Sequence, residues 1–124
     1  MTIQTGLKVL VTAGASGIGW AIALALQEAG ARVHLCDASP EHLARALKEK
    51  PQISGSVADV ADPLQVERLF QDVRQSLGGL DVLVNNAGIA GPTGPVENVV
   101  PEDWSRTLAV NITGQFLCAR LAVP

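Results

Sequence analysis

Residues 9–29, VLVTAGASGIGWAIALALQEA, constrain this chain more than any other stretch. A β-branched run, Val9-Leu10-Val11, ends in Thr12, and a loop of small residues follows from Ala13 to Gly17. Ile18, Ile22, Ala25, Leu26 and Ala29 then recur at helical spacing. The order is strand, glycine turn, helix. Glycines allow a tight turn and a close backbone approach, and the helix start aims unpaired N–H groups and a positive dipole end at an anion. A glycine pattern by itself is common in loops. Here Gly14, Gly17 and Gly19 lie between a strand and a helix at the front of a βαβ unit, the setting that predicts a dinucleotide pyrophosphate rather than a plain turn.

The remaining chain keeps alternating. Leu7–Thr12 is a first strand, apolar on both faces as a central parallel strand should be, and its helix runs from Gly17 to Ala29 with Gly30 as the stop. Ala31–Cys36 is a second strand. Ser39-Pro40-Glu41 opens a helix to Lys50, and Pro51 ends it. A short strand, Ile53–Val57, precedes Asp62-Pro63-Leu64-Gln65, close to a capping box, and a helix whose buried stripe is Val66, Leu69, Phe70, Val73 and Leu77. Leu80–Val84 is a fourth strand. A last helix is expected from Pro101 to Pro124. This pattern predicts one α/β domain over 1–124, a Rossmann-like doubly wound parallel sheet with strand order 3-2-1-4.

Composition excludes several functions. With 124 residues, 48% hydrophobic, a real core can form; a net charge of −3 without a basic patch argues against nucleic acid and anionic membranes. Residues 9–26 are uncharged, but three glycines with Thr12 and Ser16 fit a buried strand and helix better than a membrane span or export signal. Two cysteines, Cys36 and Cys118, make no disulfide framework and fit a reducing cytoplasm. His34 and His42 lack metal-ligand partners at the usual spacing and are expected to be structural.

Asp37 lies about 20 residues past the glycine turn, at the tip of the second strand, where a carboxylate accepts from adenosine ribose hydroxyls. It also repels a 2′-phosphate, by roughly 3 kcal/mol for unit charges about 5 Å apart at an effective dielectric near 20. Neither Ala38 nor Ser16 supplies a compensating cation, so NAD is favoured over NADP. Asp59 and Val60 suit an adenine amino group and ring, or equally a turn before Asp62. Asn85 and Asn86 suit cross-linking of neighbouring backbone, and Ala87 and Gly88 are small enough for close approach by a cofactor. Asn111, in line with Trp104, Leu108, Ile112 and Gln115, has the pattern of a satisfied core amide.

Thr12 with Gly17-Ile18-Gly19, Asp37, Asp59-Val60, Asn85-Asn86-Ala87-Gly88 and Val110-Asn111-Ile112 together resemble the short-chain dehydrogenase/reductase family across the whole chain. One departure is that the family's Thr-Gly opening is Thr12-Ala13 here, with glycine displaced to Gly14. The resemblance implies a nicotinamide-dinucleotide site made of Thr12, Gly14, Ser16, Gly17, Ile18, Gly19, Asp37, Asp59, Val60, Asn86, Ala87 and Gly88. It implies hydride transfer between NAD(H) and an alcohol or ketone by an asparagine, serine, tyrosine and lysine. Of these, Asn111 is present, as keeper of a proton-relay water; there is no tyrosine. The chain thus corresponds to a cofactor-binding half, truncated after the fourth strand and its helix. It is expected to be inactive alone and is either part of an oxidoreductase or a non-catalytic dinucleotide-binding fragment. Its apolar last helix and open fourth strand predict a homo-oligomer.

Overall fold

The computed structural model describes residues 3–124. Four parallel strands, β1 (Lys8–Thr12), β2 (Arg32–Asp37), β3 (Ser54–Val57) and β4 (Val82–Val84), lie in the order β3-β2-β1-β4. Helices α1 (Gly17–Glu28), α2 (Pro40–Glu49) and α3 (Pro63–Leu77) connect them. After β4 come a single 3-10 turn at Val96–Asn98, then α4 (Pro101–Leu108), a π-helical turn (Ala109–Thr113) and α5 (Gly114–Ala122).

Alternation along β1 divides the core. Val9 and Val11 join Ala23, Val33, Leu35, Leu43 and Ala46 under α1 and α2. Leu10 faces the other way, onto Cys36, Val66, Leu69, Phe70, Val73, Leu117 and Cys118 under α3 and α5. Both faces are covered, as a parallel sheet requires. Each thiol is buried within this packing, and loss of hydration pushes Cys36 up to about 12 and Cys118 up to about 11.

The expected architecture and strand order hold, while several boundaries move. The β4 ladder begins at Val82 rather than Leu80, because the Asp81 carboxylate takes the Lys8 N–H at 2.9 Å in place of a strand carbonyl. Likewise β3 begins at Ser54, since Ile53 N–H closes a turn onto Lys50 C=O. Asp37 is the last residue of β2 rather than the first beyond it. The buried face of α1 is Gly19 and Ala23, flanked by Trp20, Ile22 and Leu26, whereas Ile18 is 76% exposed. Finally, the last helix is not one regular rod to Pro124. It widens into the π-turn at Ala109–Thr113 and closes again at Gly114, which seats against Val60; a Cβ on Gly114 would lie 2.7 Å from Val60 Cγ2.

Candidate cofactor site

Because the strands are parallel, Thr12, Asp37, Val57 and Val84 all end on one edge of the sheet. The loops leaving that edge carry the residues singled out in the sequence. Beyond β1 the backbone turns at Ala13, φ +50°, the one non-glycine residue in the left-handed region among those described. Gly14 then turns inward. Its N–H donates to Cys36 C=O at 3.1 Å, and a Cβ there would lie 2.6 Å from Leu35 Cδ2. Gly14 is therefore tightly packed, with its N–H already bonded.

The open part of the loop comes next. Ser16 is extended, at φ −156° and ψ 168°, and its side chain makes no capping bond. Gly17 starts α1 at φ +56° with open space on its Cβ side. The first N–H groups of a helix have no intrahelical acceptor, so those of Gly17, Ile18 and Gly19 are available to an anion. Gly19 is a different kind of glycine. A Cβ there would collide with Ala13 C=O and lie 2.5 Å from Asn86 Nδ2. The missing Cβ of Gly19 thus lets the start of α1 pack directly on Ala13 and Asn86, while the open side of the loop is at Gly17; unpaired N–H groups at a helix start are the donors a pyrophosphate needs.

Thr12 and Asn86 fasten this loop to β4. The Thr12 hydroxyl accepts from the Asn86 and Ala87 N–H groups, each at 2.9 Å, and donates to Val84 C=O at 3.3 Å. That uses the full capacity of a hydroxyl, and Thr12 is 1% exposed. In return, Asn86 Nδ2 donates to Thr12 C=O at 3.1 Å and Ala13 C=O at 3.2 Å. The expected cross-linking of neighbouring backbone is what Asn86 does. Both side chains shape the loop: the Thr12 hydroxyl and the Asn86 Nδ2 are used within it.

Asp37 closes the loop's other side. Its Oδ2 accepts from Ala15 N–H at 3.2 Å and its Oδ1 from Ser39 N–H at 2.9 Å. Two bonds leave each oxygen a further lone pair, so a sugar diol can still be accepted. Next to it, a small cleft of about 130 Å³ is lined by Ala13, Asp37, Asp59, Val60, Gly88 and Arg106, among others. Whole ligand pockets run about 300–1,000 Å³, so this one has room for a ring rather than a dinucleotide. At its mouth Asp59 Oδ2 meets Arg106 Nη1 at 2.9 Å, while Oδ1 accepts from Ala61 N–H at 3.0 Å. Arg106 escaped the sequence reading. It stands 47 residues from Asp59 and nothing local marks it.

Asn111 lies in the π-turn and faces the loop after β4. Its Oδ1 accepts from Ile89 N–H and its Nδ2 donates to Ile89 C=O, both at 2.8 Å. It is a bonded amide that ties the loop beside Gly88 to the helix, whereas Trp104, Leu108 and Ile112, with which its spacing groups it, are exposed. His34, expected to be structural, is buried on the α3 side of β2. It bonds Ser54 Oγ through Nδ1 at 2.7 Å and Ser56 Oγ through Nε2 at 2.8 Å, and Ser56 donates onward to Asp72 Oδ2 at 2.6 Å. Burial lowers its imidazole to about 4, against an opposing pull from Asp72. A larger hollow of about 350 Å³ lies at the opposite edge of the sheet, among Gln27, Arg32, Ser54 and Ser76, and holds none of the expected site residues.

The family profile described as short chain dehydrogenase matches residues 7–124. The chain belongs to the short-chain dehydrogenase family. It is 38% identical over 122 residues to a short chain dehydrogenase/reductase of Gibberella zeae, covering 96% of this chain and 45% of that one. Among solved structures, it matches a 3-ketoacyl-(acyl-carrier-protein) reductase from Brucella melitensis complexed with NADH, at TM-score 0.90 and 30% identity, covering 94% of this chain and 48% of that one. An actinorhodin polyketide ketoreductase with NADPH is matched at TM-score 0.91 and 35% identity, covering 99% and 48%. The chain spans about half the length of each of these relatives. The family binds NAD(P) and acts on small molecules by oxidation and reduction. No helix among the described residues is long and apolar enough to cross a membrane.

Proposed function

We propose that this chain is the NAD(H)-binding half of an oxidoreductase that exchanges hydride between the cofactor and an alcohol or ketone. The observation that carries the choice of NAD is Asp37, a buried carboxylate ending β2 and bonded to the glycine loop. Among the described residues lining the adjoining cleft, the one cation is Arg106, and it is paired with Asp59. A 2′-phosphate near Asp37 meets an anion without a free counter-charge.

Under this reading Gly17, Ile18 and Gly19 receive the pyrophosphate on the start of α1, with Ser16 beside them. Asp37 accepts the adenosine ribose hydroxyls. Asp59 and Val60 bound the adenine, and Ala87 and Gly88 leave room where the chain passes close to the cofactor. Thr12, Gly14 and Asn86 act through the loop they hold in shape. A bound nicotinamide supplies the hydride donor or acceptor. Asn111 fixes Ile89 and with it the wall next to Gly88. The chain has no tyrosine to serve as the family's acid/base group, which supports a second reading for the chain taken by itself, dinucleotide binding without turnover. Four exposed side chains one turn apart, Trp104, Leu108, Ile112 and Phe116, support a homo-oligomer through the last helix, and two unpaired thiols support a reducing, cytoplasmic setting.

Calorimetric titration with NAD and NADP tests the cofactor assignment. Wild type is expected to bind NAD at least tenfold more tightly, and Asp37→Ala to narrow that gap, in keeping with a repulsion of roughly 3 kcal/mol before screening. Tighter binding of NADP by wild type overturns it.

A further inference from the structure

We propose that Arg106 is a specificity-determining residue of the adenine end, acting with Asp59 as a two-sided reader of the purine's 6-position; this rests on the cofactor reading above. The ion pair is part of the lining of the small cleft and joins α4 to the turn after β3. Both partners have capacity beyond their mutual bond. Asp59 Oδ2 accepts one bond, from Arg106, and Oδ1 one bond, from Ala61 N–H; each carboxylate oxygen can accept a second. Arg106 uses Nη1 alone in a side-chain hydrogen bond, which leaves other guanidinium N–H groups in the same plane. The Arg106 side chain is 51% exposed and that of Asp59 29%, so the pair is open to solvent, and both residues line the cleft.

The two groups have opposite chemistry at one place. A 6-amino purine donates, and Asp59 accepts. A 6-oxo purine presents an acceptor, which Asp59 alone repels, and the free N–H groups of Arg106 can satisfy it. The wild-type site therefore tolerates either base, and Arg106 supplies the tolerance. Removing the cation leaves a carboxylate facing the 6-position, and the site becomes selective for the amino base. A purely structural role, bracing α4 against β3, makes no such distinction, because loosening the cleft weakens both bases alike.

The test is calorimetric titration of wild type, Arg106→Met and Arg106→Lys with NAD and with its hypoxanthine analogue. Methionine keeps an apolar stem of similar reach at an exposed position, and circular dichroism checks the fold. Wild type is expected to bind the two within about threefold of each other. Arg106→Met is expected to weaken the hypoxanthine analogue by about tenfold more than NAD, a difference typical of one hydrogen bond to a charged group. Arg106→Lys, which keeps charge but loses the planar fork, is expected to fall between. Equal weakening of both ligands, no change in either, or a larger loss for NAD overturns the proposal while leaving the cofactor reading intact. Failure of wild type to bind either ligand overturns the cofactor reading itself.

Discussion

Gly19→Ala puts a methyl where the structure has no room for one. The new Cβ would collide with Ala13 C=O and crowd Asn86 Nδ2 at 2.5 Å. Neither neighbour yields easily. The first is backbone in a left-handed turn, and the second bonds both Thr12 C=O and Ala13 C=O. Overpacking costs about 1–3 kcal/mol, and loss of the two Asn86 bonds adds about 1 kcal/mol each. Against this, alanine inside a helix gains about 1 kcal/mol over glycine. The clash wins, and a net destabilisation of about 2–4 kcal/mol is expected. Urea unfolding followed by far-ultraviolet circular dichroism measures it. Gly17→Ala is the companion variant: open space surrounds its Cβ and the cost is the left-handed φ of +56° alone, about 1 kcal/mol. Cofactor affinity should fall for Gly19→Ala in step with the displaced loop. A Gly19→Ala protein as stable as wild type would refute the claim that Gly19 is held between Ala13 and Asn86.

Ala13→Gly relieves a left-handed alanine and is expected to raise stability by about 0.5–1 kcal/mol in the same urea assay. His34 is held neutral in the fold at about 4, below its ordinary 6.5, so the unfolded chain binds its proton first as pH falls. Stability should therefore drop between pH 6.5 and 4, by at most about 3 kcal/mol from this group, and His34→Gln should flatten that part of the pH profile. Phe116→Glu places a charge in the exposed line with Trp104 and Ile112 and is expected to shift sedimentation toward monomer; unchanged sedimentation of an associated wild type would remove this helix as the interface.

The alternation of strands and helices, the strand order and most caps were legible because each rests on local chemistry. Asp62, for instance, accepts from Leu64 and Gln65 N–H groups, and its carboxyl is lowered first by the Gln65 side chain. The residues of the candidate site were legible as a group, but their bonding was not. Thr12, Gly14 and Asn86 carry the motif, yet the Thr12 hydroxyl, the Gly14 N–H and the Asn86 Nδ2 bond within the protein, and only three-dimensional pairing between β1, β2 and β4 reveals that. The π-turn left no trace in the periodicity, since it follows from seating Gly114 on Val60 and Asn111 on Ile89 across more than 20 residues. Arg106 was invisible for the same reason.

A bound dinucleotide is expected to occupy the edge of the sheet where the strands end. An amide-resolved NMR titration with NAD addresses this most directly. Shifts are expected at Gly17, Ile18, Gly19, Asp37, Asp59 and Gly88, with Gly30, Gly78 and Gly79 at the far ends of the connecting helices unmoved. Shifts centred on the hollow around Arg32 and Ser54, or none at saturating NAD, would contradict it.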